Sequence, residues 1–367
     1  MARLGDIATY VNGYAFKPSD WSDTGLPIIR IQDLTGNSYQ ANRYSGPYDG
    51  KYEVNKGDVL ISWSASLGVY IWNDEKAVLN QHIFKVVFDK QAVNKSFFVH
   101  QVQNILEKAE FQAHGATMKH LTKPVFDSLP FYLPPMEQQQ RIATILDKIT
   151  DLISLRKQQL AKLDELVKAR FVEMFGNVHH ELPLNQICSF IDYRGKTPEK
   201  SDFGIPLITA KNVKENSFSV EPQEFIPQEN YSAVMTRGTP KVNDVLFTTE
   251  APLGNVCRIP NIYQQFCVGQ RIITMQPMEG IVTSEYLEYA LRETRFQNKL
   301  WEKASGSTVK GIRSKLLEWL TIPVPFFELQ AAFTNFVHWA DKQKLTIQQS
   351  LAKLEVLKKA LMQEYFG

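Results

Sequence analysis

The chain repeats itself, and the repeat constrains the fold more tightly than any other feature of its 367 residues. Residues 133–176 lie over 324–367 at a constant shift of 191, without a gap. Pro134 meets Pro325, Glu137 meets Glu328, Gln139 meets Gln330, Leu160-Ala161-Lys162-Leu163 meets Leu351-Ala352-Lys353-Leu354, and Phe175-Gly176 meets Phe366-Gly367. Upstream segments pair with small insertions. Pro27-Ile28-Ile29 matches Pro206-Leu207-Ile208 at 179, and Asp58-Val59-Leu60 matches Asp244-Val245-Leu246 at 186. Gln81 and Ile83 match Gln270 and Ile272 at 189, and Gly115, Thr117 and Lys119 match Gly306, Thr308 and Lys310 at 191. Because the shift only grows, the second copy holds the extra loop residues. The order is a globular unit over 1–132, a helix over 133–176, a second unit over 177–323 and a second helix over 324–367.

The helical segments are long. Over 137–175, Leu146, Ile153, Leu160, Val167 and Met174 fall one heptad apart, with Ile142, Ile149 and Leu163 in most of the second column, the pattern of a coiled-coil seam. In the second copy Phe333, Ala340, Ile347, Leu354 and Leu361 form one column; Leu351 belongs to the other, which Lys344 and Lys358 interrupt. Each helix starts after prolines and stops at a glycine. Roughly 37 residues at ~1.5 Å rise span about 55 Å. Two such helices are expected to pack antiparallel, giving the repeat a pseudo-twofold character. The globular units read as short β-runs (27–31, 58–62, 82–88) bounded by Gly, Asn, Asp and Pro, each unit followed by a helix, near 96–112 and 284–303. The fold class is α+β: two similar mixed α/β units and two long antiparallel helices.

Several functions are excluded or left without support. There is no GxxxxGK[ST] phosphate loop, no HExxH or other metal spacing, no GxSxG elbow and no cofactor loop of a methyltransferase, so neither catalysis nor a bound metal or cofactor is expected. Cys188, Cys257 and Cys267 are odd in number and lack CxxC spacing, which suggests neither a disulfide framework nor zinc. No run approaches a membrane span, and the start MARLGDIATY lacks an apolar signal core; a cytoplasmic protein without a membrane partner is expected. A net charge of +2 rules out a strongly basic coat but not a local basic face.

Binding residues are better represented. Alternation from Ile29 would put Arg30 and Gln32 on one face of a strand, with Asp33 beyond them; Thr209, Lys211 and Asn212 follow the matching Pro206 run. Trp63 and Ser64 sit in one loop, Gln81 and His82 in another; Glu250, Gln270 and Arg271 hold the matching places in the second copy. Arg suits guanine, Asn or Gln adenine, and a carboxylate cytosine. Different polar tips on a common frame fit two units reading two sequences, and Lys119 and Lys310 in matching Gly-x-Thr-x-Lys loops suit phosphates. Taken singly, each reads more readily as an ordinary solvated loop, and Arg30 equally well as a brace on Asp33.

With this frame on the page, the chain resembles a type I restriction–modification specificity subunit. The matching residues are Pro27-Ile28-Ile29-Arg30-Ile31-Gln32-Asp33-Leu34, Gly57-Asp58-Val59-Leu60-Ile61-Ser62, Gly306-Ser307-Thr308-Val309-Lys310-Gly311-Ile312, and Leu133-Pro134-Pro135-Met136-Glu137-Gln138-Gln139-Gln140. It departs at Glu328-Leu329-Gln330, which lacks the family's double glutamine. The resemblance implies that residues 1–132 and 177–323 are target recognition domains, each reading half of a split site in double-stranded DNA. It implies that the helices, through seam residues Leu146, Ile153, Leu160, Leu163, Val167, Ile347, Leu351, Leu354 and Leu361, set the spacing and dock two methyltransferase subunits. Those would use S-adenosylmethionine for adenine methylation and join two restriction subunits using ATP and Mg, while this chain would bind no cofactor and catalyse nothing. The alternatives from the residues alone are a coiled-coil scaffold or adaptor that does not bind DNA, and an enzyme with an unrecognised site.

Overall fold

A computed structural model describes residues 2–36, 42–112, 122–193 and 198–367, with the backbone alone for 110–112. By compactness it divides into two units, Met1–Lys157 with Gln349–Gly367, and Gln158–Gln348. The division falls inside both long helices, Met136–Phe175 and Phe327–Phe366, and not at their ends.

The central strand of each unit explains its own sequence. In the first unit Val59–Ser62 lies inside a four-stranded antiparallel sheet, in the order Thr9–Asn12, Ile83–Val87, Val59–Ser62, Gly68–Ile71. Val59 and Ile61 point into one core with Phe84, Val86, Phe97, Phe98 and Val102, whereas Leu60 points into another with Ile29, Val54, Leu79 and Ile83. Both faces are covered, so the strand reads as an unbroken apolar run. The second unit repeats this arrangement. Its sheet order is Cys188–Asp192, Ile272–Pro277, Val245–Thr248, Val256–Arg258, with Val245 and Phe247 in one core and Leu246 in the other. A parallel pair adjoins each sheet: Ile28 and Ile29 face Val78 and Leu79, and Leu207 and Ile208 face Cys267 and Val268.

Each unit packs the start of one long helix beside the end of the other, which makes them antiparallel. In the first, Ile142, Ala143 and Leu146 share a core with Leu361, Met362, Tyr365 and Phe366; in the second, Val167, Phe171 and Phe175 share one with Phe333, Val337 and Ala340. This extends the seam as read from heptads. Leu146 and Val167 serve the globular cores, while Ile153, Leu160, Leu163, Ile347, Leu351 and Leu354 remain half-buried. Lys344 is accommodated by pairing with Asp164 at 2.5 Å. The helix expected over 284–303 is two helices, Ser284–Arg292 and Thr294–Lys303, because Glu293 is extended between them.

The repeated Glu-x-Gln has a structural reason. Gln330 is fully buried; its Nε2 donates to the Pro325 and Ile281 carbonyls at 2.9 and 3.0 Å, and its Oε1 accepts from the Thr283 N–H at 3.0 Å. Gln139 likewise donates to the Pro134 carbonyl and accepts from the Asn94 N–H. Each glutamine therefore clamps the start of a long helix to the start of the helix in its globular unit. Leucine fills the same space but orphans those backbone groups, which costs about 1–3 kcal/mol. Gln330→Leu is expected to lower the melting temperature by several degrees, and by more than Gln139→Leu, which orphans two partners instead of three. Equal or negligible losses in thermal unfolding would refute the clamp.

The three cysteines are buried, and burial pushes their thiols up to about 12. Among the described residues no helix is long and apolar enough to cross a membrane, and no cluster of three His, Cys, Asp or Glu is placed to hold a metal.

Candidate nucleic-acid interface

Parallel strands leave a sheet at the same end, so the segments after Ile29 and Leu79 emerge side by side, the Asn80 N–H donating to the Ile29 carbonyl. In the second unit the Gly269 N–H donates to the Ile208 carbonyl in the same way. A third loop, after Ser62 or Thr248, joins each edge. The Trp63 N–H donates to the His82 carbonyl at 3.2 Å, and the Thr249 N–H to the Arg271 carbonyl at 2.9 Å. The two copies also share a rarer feature. His82 and Arg271 adopt φ of 73° and 67°, and Ala65 and Ala251 adopt 60° and 37°, in the left-handed region that favours glycine.

Among the described residues, the loops after Ser62 and Leu79 in the first unit present aromatic and uncharged polar side chains. The Trp63 ring stacks on Phe84 and meets His82 edge-on at 4.9 Å, while its Nε1 donates to Asn12. Gln81 is exposed, and its N–H donates to the carbonyl of Tyr14, an exposed aromatic that also touches Phe16 and Tyr52. Ser64 is buried behind the loop and presents nothing at the surface.

The second unit's edge is basic. An open cleft of about 630 Å³ is lined by Thr209, Lys211, Gln270 and Arg271 together with Lys200, Lys214, Glu215 and Glu224. Four cations against two carboxylates leave a positive surface suited to phosphates. Hydrogen bonds from the Lys200 and Lys211 ammoniums hold the Glu224 carboxyl below its usual range, against its partial burial. Arg271 pairs with Glu250 at 3.2 Å. The loop bearing Lys310 lies against the same tip: Glu250 bridges to Gly311, and a Cβ on Gly311 would come within 3.2 Å of the Thr249 carbonyl, a tight contact that glycine avoids.

The reading of residues 30–33 as a strand face is overturned. The strand ends at Ile29, and Arg30 caps a short helix, Ile31–Leu34, whose Asp33 carboxylate accepts from the Arg30 N–H at 2.8 Å. A local turn of this kind outcompetes the ladder wherever Asp or Asn falls three residues on. Arg30 lies over the Trp21 ring and 3.8 Å from Asp33, and Gln32 is carried round with the helix, so the two do not share a face by alternation. Asn212 holds the matching position. It is 3% exposed, accepts from the Thr209 N–H at 2.8 Å and donates to the carbonyls of Ser219 and Pro222. Asp33 and Asn212 thus hold turns together rather than offering edges to a ligand. Lys119 lies outside the described residues.

Sequence reasoning missed Lys200, Lys214 and Tyr14. The lysines lie in polar stretches without periodicity, and only the fold brings them to one wall. Lys310 is exposed beside the loops but is not one of the differing tips, so it is expected to act as a general anion contact. Lys310→Ala should weaken binding to all DNA sequences alike and reduce the slope of log affinity against log salt by about one. A sequence-selective effect in a salt titration would contradict this assignment.

A duplicated α/β platform, with adjoining polar loops at the same edge of each copy and a basic wall beside one pair, defines a two-part recognition protein. The family described as "Type I restriction modification DNA specificity domain" matches residues 1–165 and 181–357, and the chain belongs to it. It is 30% identical to the type I restriction enzyme EcoBI specificity subunit of Escherichia coli over 45% of this chain and 35% of that protein. It is 22% identical to the MjaVIII specificity subunit of Methanocaldococcus jannaschii over 96% of this chain and 90% of that protein. Two solved structures share the fold over the whole chain, each at 16% identity. One is the S subunit of a type I restriction–modification system from M. genitalium, with a TM-score of 0.60 and 95% of that chain covered. The other comes from work on complex assembly and conformational transition of the type I system, with a TM-score of 0.55 and 96% covered.

Proposed function

We propose that this chain reads a bipartite, asymmetric site in double-stranded DNA, one half per globular unit, as the non-catalytic specificity subunit of a cytoplasmic type I restriction–modification complex. The observation that carries this reading is the loop edge itself: the same backbone bonds and the same left-handed positions occur twice, while the side chains differ at Trp63 against Thr249 and at His82 against Arg271. The long helices dock two methyltransferase subunits, and two restriction subunits join through these. Exposed Leu152, Leu155, Leu166, Leu345, Val356 and Leu357 supply apolar area on the helices for that contact. S-adenosylmethionine, ATP and Mg belong to the partners.

The test is to map methylated adenines in DNA from cells expressing the chain with its methyltransferase. A split, asymmetric motif is expected; an unsplit motif or none would refute the reading. One heptad inserted after Leu163 and another after Leu354 keeps the side-chain register and lengthens each helix by about 10 Å, at ~1.5 Å per residue. Both half-sites should then keep their bases while the gap grows by about three base pairs, at 3.4 Å each. An unchanged gap would remove the helices' role as a ruler.

A further inference from the structure

We propose that the side chains at the paired left-handed positions, His82 and Arg271, select the base in their respective half-sites, and that Arg271 takes the edge of a guanine. The inference rests on the reading that each unit contacts one half-site, and it names the residue that does the selecting.

The argument starts from what the backbone requires. At both positions the chain turns with φ near 70°, and the carbonyl accepts an N–H from the neighbouring loop. Glycine would meet both demands without strain, whereas an L side chain there is disfavoured by about 1–2 kcal/mol. The flanking residues are the same in both copies, Gln81 and Ile83 against Gln270 and Ile272. Between the same two neighbours and on the same backbone bond, the side chain is histidine in one copy and arginine in the other. Strain of this kind is retained where the side chain itself is needed.

Packing offers no competing reason for Arg271. Its side chain is 58% exposed and, among the described residues, its ion pair is to Glu250, itself 44% exposed. Such surface pairs contribute about 0–1 kcal/mol, too little to explain a strained arginine. That pair engages Nε, on one side of the guanidinium, and the residue lines the cleft with Lys200, Lys211 and Lys214. Lysines able to meet phosphates on one wall, with a planar fork of donors among them, match a guanine edge offering two acceptors in the major groove. His82 is held differently, edge-on against Trp63, and bears a smaller donor and acceptor set. It should therefore select a different base.

The test uses the full chain expressed with its methyltransferase, read as a methylation map, with the melting temperature of each purified variant measured alongside. Arg271→Ala and Arg271→Lys should relax one G·C position in the second unit's half-site by roughly 5- to 150-fold, corresponding to about 1–3 kcal/mol, and leave the other half untouched. Lysine keeps the charge but not the fork, so it guards against an effect of charge alone. His82→Arg should introduce a guanine preference at one position of the first half-site. An unchanged motif in all three variants would overturn the proposal. So would uniform weakening at every site with the motif preserved, which would mark Arg271 as a phosphate contact. A substitution in one unit that alters both halves would instead refute the division of the site between units, and the two failures are thereby distinguished.

Discussion

A chain in which residues 177–323 also replace residues 1–132 is expected to methylate sites whose two halves contain the same bases, but only once Asp147 is changed to His. The apolar contacts permit the transplant. The first copy's Ile142, Leu146, Met362 and Phe366 stand 191 residues from Phe333, Val337, Phe171 and Phe175, and all eight face a core or pack against one. The polar contact does not permit it. In the first unit Asp147 on the long helix accepts hydrogen bonds from Ser96 and His100, the latter at 2.7 Å. Burial lowers the pKa of His100 against the pull of Asp147, so a neutral ring donates. In the second unit the polarity is reversed: the carboxylate is Glu285, at the place of Ser96, and His338 on the long helix pairs with it at 3.0 Å. A transplanted second unit would set the copy of Glu285, 2% exposed in its own place, against Asp147. The transplanted Arg258 and Asn243 still face the copied Glu285, but Asp147 sets a second carboxylate where His338 stood, and like charges at that distance disfavour the ionised forms of both. The direct transplant should therefore melt well below the parent and methylate poorly, and Asp147→His should restore both. A symmetric motif from the unmodified transplant would show that the swapped pair does not matter. Altered bases in the second half would mean that the two units share one continuous site.

The second large effect belongs to Arg258. Its guanidinium reaches Glu285 at 2.8 Å, Glu288 at 2.6 Å and Asp341 at 2.9 Å, and also donates to Asn243. Glu285 and Glu288 are both buried, so Arg258→Met leaves two carboxylates short of their main counter-charge, a loss of about 3–5 kcal/mol. The pH dependence has a definite sign. Burial would raise the Glu285 carboxyl, but the Asn243 hydrogen bond and the Arg258 charge outweigh it and hold the group below its usual range. A depressed carboxyl contributes stability that is present above its unfolded pKa and is lost as pH falls through its folded one. In Arg258→Met the Arg258 share of the depression is lost, so the gap to the parent should be widest at neutral pH and narrow as acid protonates Glu285. Chemical denaturation at pH 7 and pH 4.5 checks this; a gap independent of pH would assign the loss to packing alone.

Much of the architecture was legible because it was written twice. The long helices and the short strands around residues 58–62 followed from period, spacing and the pairing of Gly57-Asp58-Val59-Leu60 with Asn243-Asp244-Val245-Leu246. Less of the edge was legible. Asp33 and Asn212 read as donors and acceptors for a partner because residue type does not reveal whether a side chain has already been spent on its own backbone; both are caps. The heptad columns predicted a seam running through both helices; at its ends Leu146 and Val167 meet the other helix inside the globular cores, which the heptad pattern alone does not show.

The sequence by itself determined the duplication, the α+β class, the helix lengths and the loops that differ between copies, all properties of local pattern and of one copy compared with the other. Only the tertiary structure decided which polar residues stand together: Lys200 beside Arg271 across 71 positions of chain, Asp147 against His100, and Glu285 against His338 with the polarity reversed. It also showed that His82 and Arg271 are bent into the left-handed region, a backbone strain that no composition or period encodes. Side-chain direction and burial are set by the packing of distant segments, and that packing turned a list of candidate residues into an edge with two tips.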